Sequence, residues 1–325
     1  MDFSGVMSSR FWLFSTVILL LIFIGYPSNP AAPDTSTLNE RLNVDLVDLY
    51  LTATNNKGGF VTDLKGNELT VTENGIIQKI SAFTNFARDT HEAPLVLTMM
   101  IDTSGSMSDD IGNVWKIDLA REAALLLLDE LKPQEKAMAV TFDENLNSTE
   151  LTSDKDKIRS FLQNVRVRFG GTTLYDATLN VIDQLNHSYG RKILLICSDG
   201  NDTISKSKLD QVVQELSKSP DIAVVALGTV SRKPARKYSE LMTDYIEGKS
   251  VLNKLADVSG GYAFFPTTLK EVENVRELMR QFLLSQYSLA YFPGNRNWDG
   301  SWRDIKITCS RKDVRLRYRN GYFAR

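Results

Sequence analysis

The chain has 325 residues, 42% hydrophobic and 24% charged, a composition of ordinary folded domains with length enough for two of them. Its 38 Lys and Arg against 40 acidic residues leave a net charge of −2, so the charge balance points to no nucleic-acid partner. Cys197 and Cys309 are the only cysteines, and His91 and His187 the only histidines. They lie in unrelated segments, which argues against a disulfide and supplies no recognisable catalytic pattern.

Arg10 is followed by Phe11 to Gly25, an uncharged run rich in Leu, Ile, Phe and Val. Its length matches the apolar core of an export signal and, extended through Tyr26, approaches a membrane span. The stretch Tyr26 to Pro33 offers no clean small-x-small cleavage site, so a cleaved signal and a retained anchor both stand. No cysteine follows, which disfavours a bacterial lipoprotein. Residues 1–33 therefore read as signal or anchor plus linker. The protein is expected outside the cytoplasm (periplasmic, cell-surface or secreted), touching the membrane through residues 11–26 if they are retained.

Short β-strands come next: Val44 to Ala53, Gly58 to Val61, Leu69 to Val71 and Ile76 to Phe83, with Asn55-Asn56-Lys57-Gly58 and Asn74-Gly75 as hairpin turns. From Pro94 the pattern becomes alternating. Leu95 to Ile101, Ala137 to Phe142, Ile193 to Cys197 and Ile222 to Leu227 read as buried strands. Helical spacing marks the segment from Val114 and Trp115 to Leu127, then Lys155 to Val165, Leu174 to Leu185, Ile204 to Leu216, Val251 to Val258 and Leu269 to Leu284. Ser231 to Gly248 reads as a surface elaboration. This alternation predicts an α/β fold, a doubly wound, mostly parallel sheet with helices on both faces. Tyr287 to Phe292, Trp302 to Cys309 and Val314 to Tyr318 return to strands. In the last, Val314, Leu316 and Tyr318 alternate with Arg315, Arg317 and Arg319, which predicts a basic face in water. Neither β segment is long enough to bury a core alone. Residues 41–89 and 285–325 are expected to form one β-sandwich-like domain, with residues 94–284 inserted between its strands.

The strand Leu95 to Ile101 ends abruptly in Asp102-Thr103-Ser104-Gly105-Ser106. The carboxyl edge of a buried parallel strand is where open α/β sheets bind ligands. One carboxylate and two hydroxyls can converge there from a tight loop, and all are hard oxygen donors suited to Mg²⁺. The same Ser and Thr residues could instead serve only as helix and turn caps.

The pattern Asp102-x-Ser104-x-Ser106 resembles the DxSxS signature of von Willebrand factor type A domains and integrin I domains. Gly170-Gly171-Thr172-Thr173 before a helix and Ser198-Asp199-Gly200 after a strand are similar to the second and third loops of that family. The resemblance spans roughly Pro94 to Leu284 and implies a Rossmann-like type A domain. Carried over, it implies a MIDAS-type metal site with Ser104, Ser106 and Thr172 as direct hydroxyl ligands, Thr173 standing as an alternative to Thr172. Asp102 and Asp199 would bind largely through water. A cation so held keeps much of its charge, and its open position favours an Asp or Glu from a protein partner. The implied ion is Mg²⁺ or Mn²⁺. Asp109-Asp110 resembles the adjacent cation site of integrin β-subunits, which would take Ca²⁺, although the pair reads more simply as capping a helix starting near Ile111. The whole layout, through Gly321-Tyr322-Phe323, is similar to bacterial exported proteins with a von Willebrand A related domain. In integrin I domains the last helix responds to ligand, which here would place Leu269 to Leu284 between the site and the sandwich.

The leading expectation is a metal-dependent protein-binding module for adhesion or assembly, and not an enzyme. The alternative is a structural or assembly protein in which the metal stiffens the loops and recognition uses the β domain or its Arg315 to Arg319 face. A metal-assisted hydrolase using Asp102 comes third, because no His, Cys or Lys is visibly paired with it and no second acid suits aspartyl-phosphate chemistry.

Overall fold

The structure, a computed structural model, describes residues 46–87, 94–111, 113–229 and 238–324. The apolar run at residues 11–26 lies outside them, and among the described residues no helix is long and apolar enough to cross a membrane. Described strands and helices fall in one compact unit from Asp45 to Arg325.

The chain begins with β1 (Val47–Asn55), β2 (Leu69–Glu73), β3 (Ile76–Gln78) and β4 (Ile80–Asn85). Asn74 and Gly75, at φ 48° and 81°, make the tight turn that joins β2 to β3, as the Asn-Gly pair predicts. The single strand expected over Ile76 to Phe83 is in fact two. It breaks at Lys79, because β3 pairs with β2 in one sheet while β4 crosses to the other.

Next come β5 (Leu95–Asp102), the short hairpin β6 (Asp110–Ile111) and β7 (Val114–Trp115), and α1 (Lys116–Glu130). They are followed by β8 (Lys136–Phe142), β9 (Leu146–Ser148), α2 (Lys155–Gln163), α3 (Leu174–Asn186), β10 (Arg191–Ser198), α4 (Leu209–Lys218) and β11 (Ile222–Gly228). The segment closes with α5 (Tyr238–Ser259), β12 (Tyr262–Phe264) and α6 (Leu269–Leu284). Their sheet has the order β12-β11-β10-β5-β8-β9, parallel except for the β8–β9 edge pair. Leu97, Met99 and Ile101 pack under α1, α2 and α6, while Val96 and Met100 pack under α3, α4 and α5. Residues of both parities are buried, which is why β5 reads as an unbroken apolar run rather than an alternation. Two expectations change here. Val114 and Trp115 are strand, and α1 starts only at Lys116, so Asp109 and Asp110 do not cap it. The helix expected from Val251 starts at Tyr238, so the part of the expected surface elaboration from Tyr238 to Gly248 is regular helix.

The last strands are β13 (Gln286–Tyr291), β14 (Trp302–Cys309), β15 (Val314–Tyr318) and β16 (Gly321–Phe323). They combine with the first strands into two four-stranded sheets, β15-β1-β13-β4 and β16-β14-β2-β3. Leu49, Leu51, Leu289 and Tyr291 of one sheet meet Val71, Ile305 and Ile307 of the other in a single core. The α/β segment is thus inserted between strands of a β-sandwich. Within it Glu73 is buried, accepting from Tyr291 and Tyr322 hydroxyls at 2.8 and 2.9 Å and pairing with buried Arg303 at 2.9 Å. Both cysteines are free.

The arginine strand departs from its expected solvated face. Arg317 pairs with Asp257 at the end of α5 at 3.1 Å and lies over the Tyr262 ring. Arg319 is 2% exposed and donates to the Leu216 carbonyl at the end of α4. Only Arg315 is exposed. The arginines tie the sandwich to the amino edge of the parallel sheet, where Arg191 at the start of β10 also bonds Gln286. A basic docking face is therefore absent from this strand.

Candidate metal centre

After β5 the chain passes through α1 to β8 on one side, then returns through α2 and α3 to β10 on the other. Loops leaving β5 and β10 therefore open a crevice at the carboxyl edge, the switch point where such sheets bind ligands. Register puts Ile101 beside Cys197, so Asp102 and Ser198 follow side by side. Ser198 Oγ donates to Asp102 Oδ2 at 2.7 Å, and the Ser104 amide donates to Oδ1 at 2.9 Å.

Asp102 is fully buried, with Asp199 close enough to act on it electrostatically. Burial, with that second charge, pushes its pKa up to about 6 against the lowering effect of the serine hydrogen bonds. Ser104 and Ser106 place their hydroxyl oxygens 3.3 Å apart on the turn Gly105–Ser108. Thr172, 5% exposed, has no hydrogen bond to its hydroxyl among the described residues, although its amide and carbonyl are engaged by Thr203 and Ile204. Thr173 donates its hydroxyl to the Asp143 carbonyl at 2.6 Å, which ties it to the end of β8, whereas the Thr172 hydroxyl has no such partner among the described residues. Asp199 is 7% exposed, and its Oδ1 accepts from the Asn201 amide.

Backbone bonds hold the loops together. The Gly105 amide donates to the Gly170 carbonyl at 3.4 Å, Arg168 to Thr103 at 2.7 Å, and Thr203 to Thr172 at 3.0 Å. The five primary residues predicted from the sequence thus lie on three joined loops. Among the described residues no group of three or more His, Cys, Asp or Glu could hold a metal, so a cation here would rest on two carboxylates and hydroxyls. The donor set fits a hard divalent ion: two largely buried carboxylates, Asp102 and Asp199, the paired Ser104 and Ser106 hydroxyls and the unpartnered Thr172 hydroxyl are all oxygen donors on these joined loops.

Among the described residues Asp109 and Asp110 belong to no group of three or more His, Cys, Asp or Glu that could hold a metal. Asp109 is exposed and lies 3.6 Å from Lys116 Nζ, and Asp110 pairs with Trp115 across the β6–β7 hairpin.

Several residues of the site were missed in sequence. Ser198 orients Asp102. Asp143 is buried, accepts from Thr103 Oγ1 at 2.9 Å, and through its carbonyl holds Thr173. Its signal was present, an Asp directly after the apolar strand ending at Phe142, as Asp102 follows Ile101. Lys116 reaches 3.9 Å from Asp199 Oδ2. Gly248 gives way to Asp199: a Cβ there would stand 2.1 Å from the Asp199 carbonyl oxygen. No local motif marks Lys116 or Gly248.

With this geometry in place, the family assignment follows from residues 97–201, which match the model of the von Willebrand factor type A domain. Residues 97–201 thus form a von Willebrand factor type A domain. All three loops fall within or at the edge of the matched segment. A comparison with curated proteins gives no match. Among solved structures the chain is similar to the conserved hypothetical protein BatB from Bacteroides thetaiotaomicron, with 15% identity over 58% of this chain and 98% of that one and a TM-score of 0.45. A von Willebrand factor type A protein from Catenulispora acidiphila matches with 13% identity over 85% of this chain and 73% of that one, at a TM-score of 0.46. Proximal thread matrix protein 1 from the mussel byssus, solved with a zinc-occupied MIDAS motif, matches with 16% identity over 62% of this chain and 48% of that one, at 0.45. The type A domain is a protein-interaction or assembly module.

Proposed function

We propose that the type A domain is a metal-ion-dependent, non-catalytic binding module that captures an acidic side chain of a protein partner. Convergence of Asp102, Ser104, Ser106, Thr172 and Asp199 on three joined loops at the sheet's carboxyl edge carries this reading. Ser104, Ser106 and Thr172 would hold the ion through their hydroxyls, with Asp102 and Asp199 supporting it largely through water. Mg²⁺ or Mn²⁺ fits such oxygen donors, and an ion with few anionic ligands supplies the positive charge that draws in a carboxylate.

The rim suits a protein more than a small solute. Phe169, 78% exposed, stands beside Gly105 in a left-handed conformation at φ 55°, a strain typical of binding loops. Ile204, 48% exposed, lies against Gly171. Apolar groups flanking a cation favour an acidic residue set among apolar neighbours. The partner is placed outside the cytoplasmic membrane on the strength of the apolar run at residues 11–26, which would act as export signal or anchor.

Pull-down mass spectrometry from membrane and secreted fractions tests the reading, comparing Mg²⁺, chelator and an Asp102→Ala variant. Partners lost under both perturbations support it. Partners kept in all conditions would move recognition to the sandwich and leave the metal a structural role.

A further inference from the structure

Lys116 is the first residue of α1, and its side chain is only 4% exposed. Among the described residues its ammonium makes no hydrogen bond. Its nearest acids are Asp109 Oδ2 at 3.6 Å and Asp199 Oδ2 at 3.9 Å. The position is unfavourable twice over. A largely buried cation without close hydrogen bonds is poorly compensated for the hydration it has lost, and the first turn of a helix is the positive end of its dipole. What offsets this is the pair of carboxylates, one on each side. Asp199 is 10% exposed by side chain and belongs to the metal site, whereas Asp109 is 52% exposed and stands outside it.

We infer that Lys116 is a tethered counter-cation of the metal centre. In the metal-free protein its ammonium balances the charge of Asp199. When a divalent ion enters, the two cations compete for that carboxylate, and Lys116 turns to Asp109. Lysine therefore lowers the affinity of the site, and Asp109 moderates the effect by offering it a second place. This inference rests on the metal-binding reading above.

The test uses the full chain and Mn²⁺ alone, with binding read by electron paramagnetic resonance and equilibrium dialysis, and folding checked by circular dichroism. Lys116→Met should tighten Mn²⁺ binding at least tenfold over wild type, since it removes the competing charge while keeping the packed stem. Asp109→Asn, at an exposed position that leaves the fold intact, should weaken binding at least threefold by returning the ammonium to Asp199. In the Lys116→Met/Asp109→Asn double variant, affinity should equal that of Lys116→Met within twofold, because the second carboxylate acts only through the lysine. Unchanged or weaker binding in Lys116→Met overturns the inference, as does an Asp109→Asn loss of the same size in both backgrounds. If wild type binds Mn²⁺ and Asp102→Ala does not, either of those results counts against the lysine alone. If neither wild type nor Lys116→Met binds, the metal-site reading itself falls, and the inference with it.

Discussion

At the residue scale, the centre is governed by a carboxylate placed where it is uncomfortable. Asp102 is buried beside a second acid, and its pKa near 6 lies above the ordinary aspartate value of 3.8. A raised folded-state pKa means the charged form weakens the fold, by about 3 kcal/mol at neutral pH. In chelator, stability should therefore rise as pH falls from 7 through 6 towards 4. Asp102→Asn should be more stable than wild type at pH 7 without metal and should lack this pH-linked gain. Adding Mg²⁺ should raise the melting temperature of wild type only. Calorimetric melts of both proteins at pH 5 and 7, with and without Mg²⁺, check all of this, and a destabilised Asp102→Asn would contradict it. Gly248 is the other sensitive residue. Its Cβ space is occupied by the Asp199 carbonyl, and a Cβ on Gly200, at φ 85°, would in turn stand 2.2 Å from the Gly248 carbonyl oxygen. Gly248→Ala should cost about 1–3 kcal/mol of stability, the range for overpacking, and should displace Asp199. Urea unfolding together with Mn²⁺ titration measures both effects.

Adjacent positions acquire different duties from the element that holds them. Thr172 ends the second loop with its hydroxyl uncommitted, whereas Thr173 is the N-cap of α3 and donates to Asp143. Replacing each by valine preserves shape and removes one hydroxyl. Thr172→Val should lose most metal affinity at little cost in stability. Thr173→Val should lose about 1 kcal/mol through one hydrogen bond and retain the metal. Equal metal affinity in the two variants, by Mn²⁺ titration, would reverse these roles. In the sandwich, β2 and β14 are joined by Glu73 and Arg303, 3% and 2% exposed by side chain. Arg303→Met would leave Glu73 buried with tyrosine hydroxyls but no cation. It should cost about 3 kcal/mol, towards the low end for breaking a buried pair because those hydroxyls remain. Denaturant unfolding of the variant reads the loss.

For the whole molecule, the chief question is what joins the metal edge to the sandwich at the opposite edge of the parallel sheet. Only Ser285 separates α6 from β13, a central strand of its sheet. Phe282 of α6 packs edge-on against Phe60, which also meets Tyr262. A displacement of α6 on ligand capture would be felt directly in the sandwich. Hydrogen exchange in α6 and β13 should change when Mg²⁺ and an acidic peptide are added together. No change would leave the sandwich a passive base, its place held by Arg317 and Arg319.

How much of this was legible depended on whether the information was local. Asp102, Ser104 and Ser106 could be read as a donor set because a hydroxyl pattern on one tight turn is fixed by its own spacing. The apolar runs of β5, β8, β10 and β11 announced a parallel sheet because strands covered on both faces need no polar alternation. The Asn74-Gly75 turn was legible for the same reason, whereas the crossing at Lys79 was not, because sheet membership is set by distant partners. The arginines of β15 show the limit most clearly. Their alternation was read correctly as two faces, but water was assigned to a face that is covered by Asp257, Tyr262 and Leu216, the last of them 103 residues from Arg319 in sequence. Lys116 and Gly248 carried no local signal. The sequence by itself determined which elements form and which loop donors stand at the end of a strand, since those follow from neighbours along the chain. Only the tertiary structure decided that an ammonium stands beside Asp199, that a helix yields at Gly248 and that the sandwich is bolted on by arginines, since burial and charge pairing depend on which remote surfaces meet.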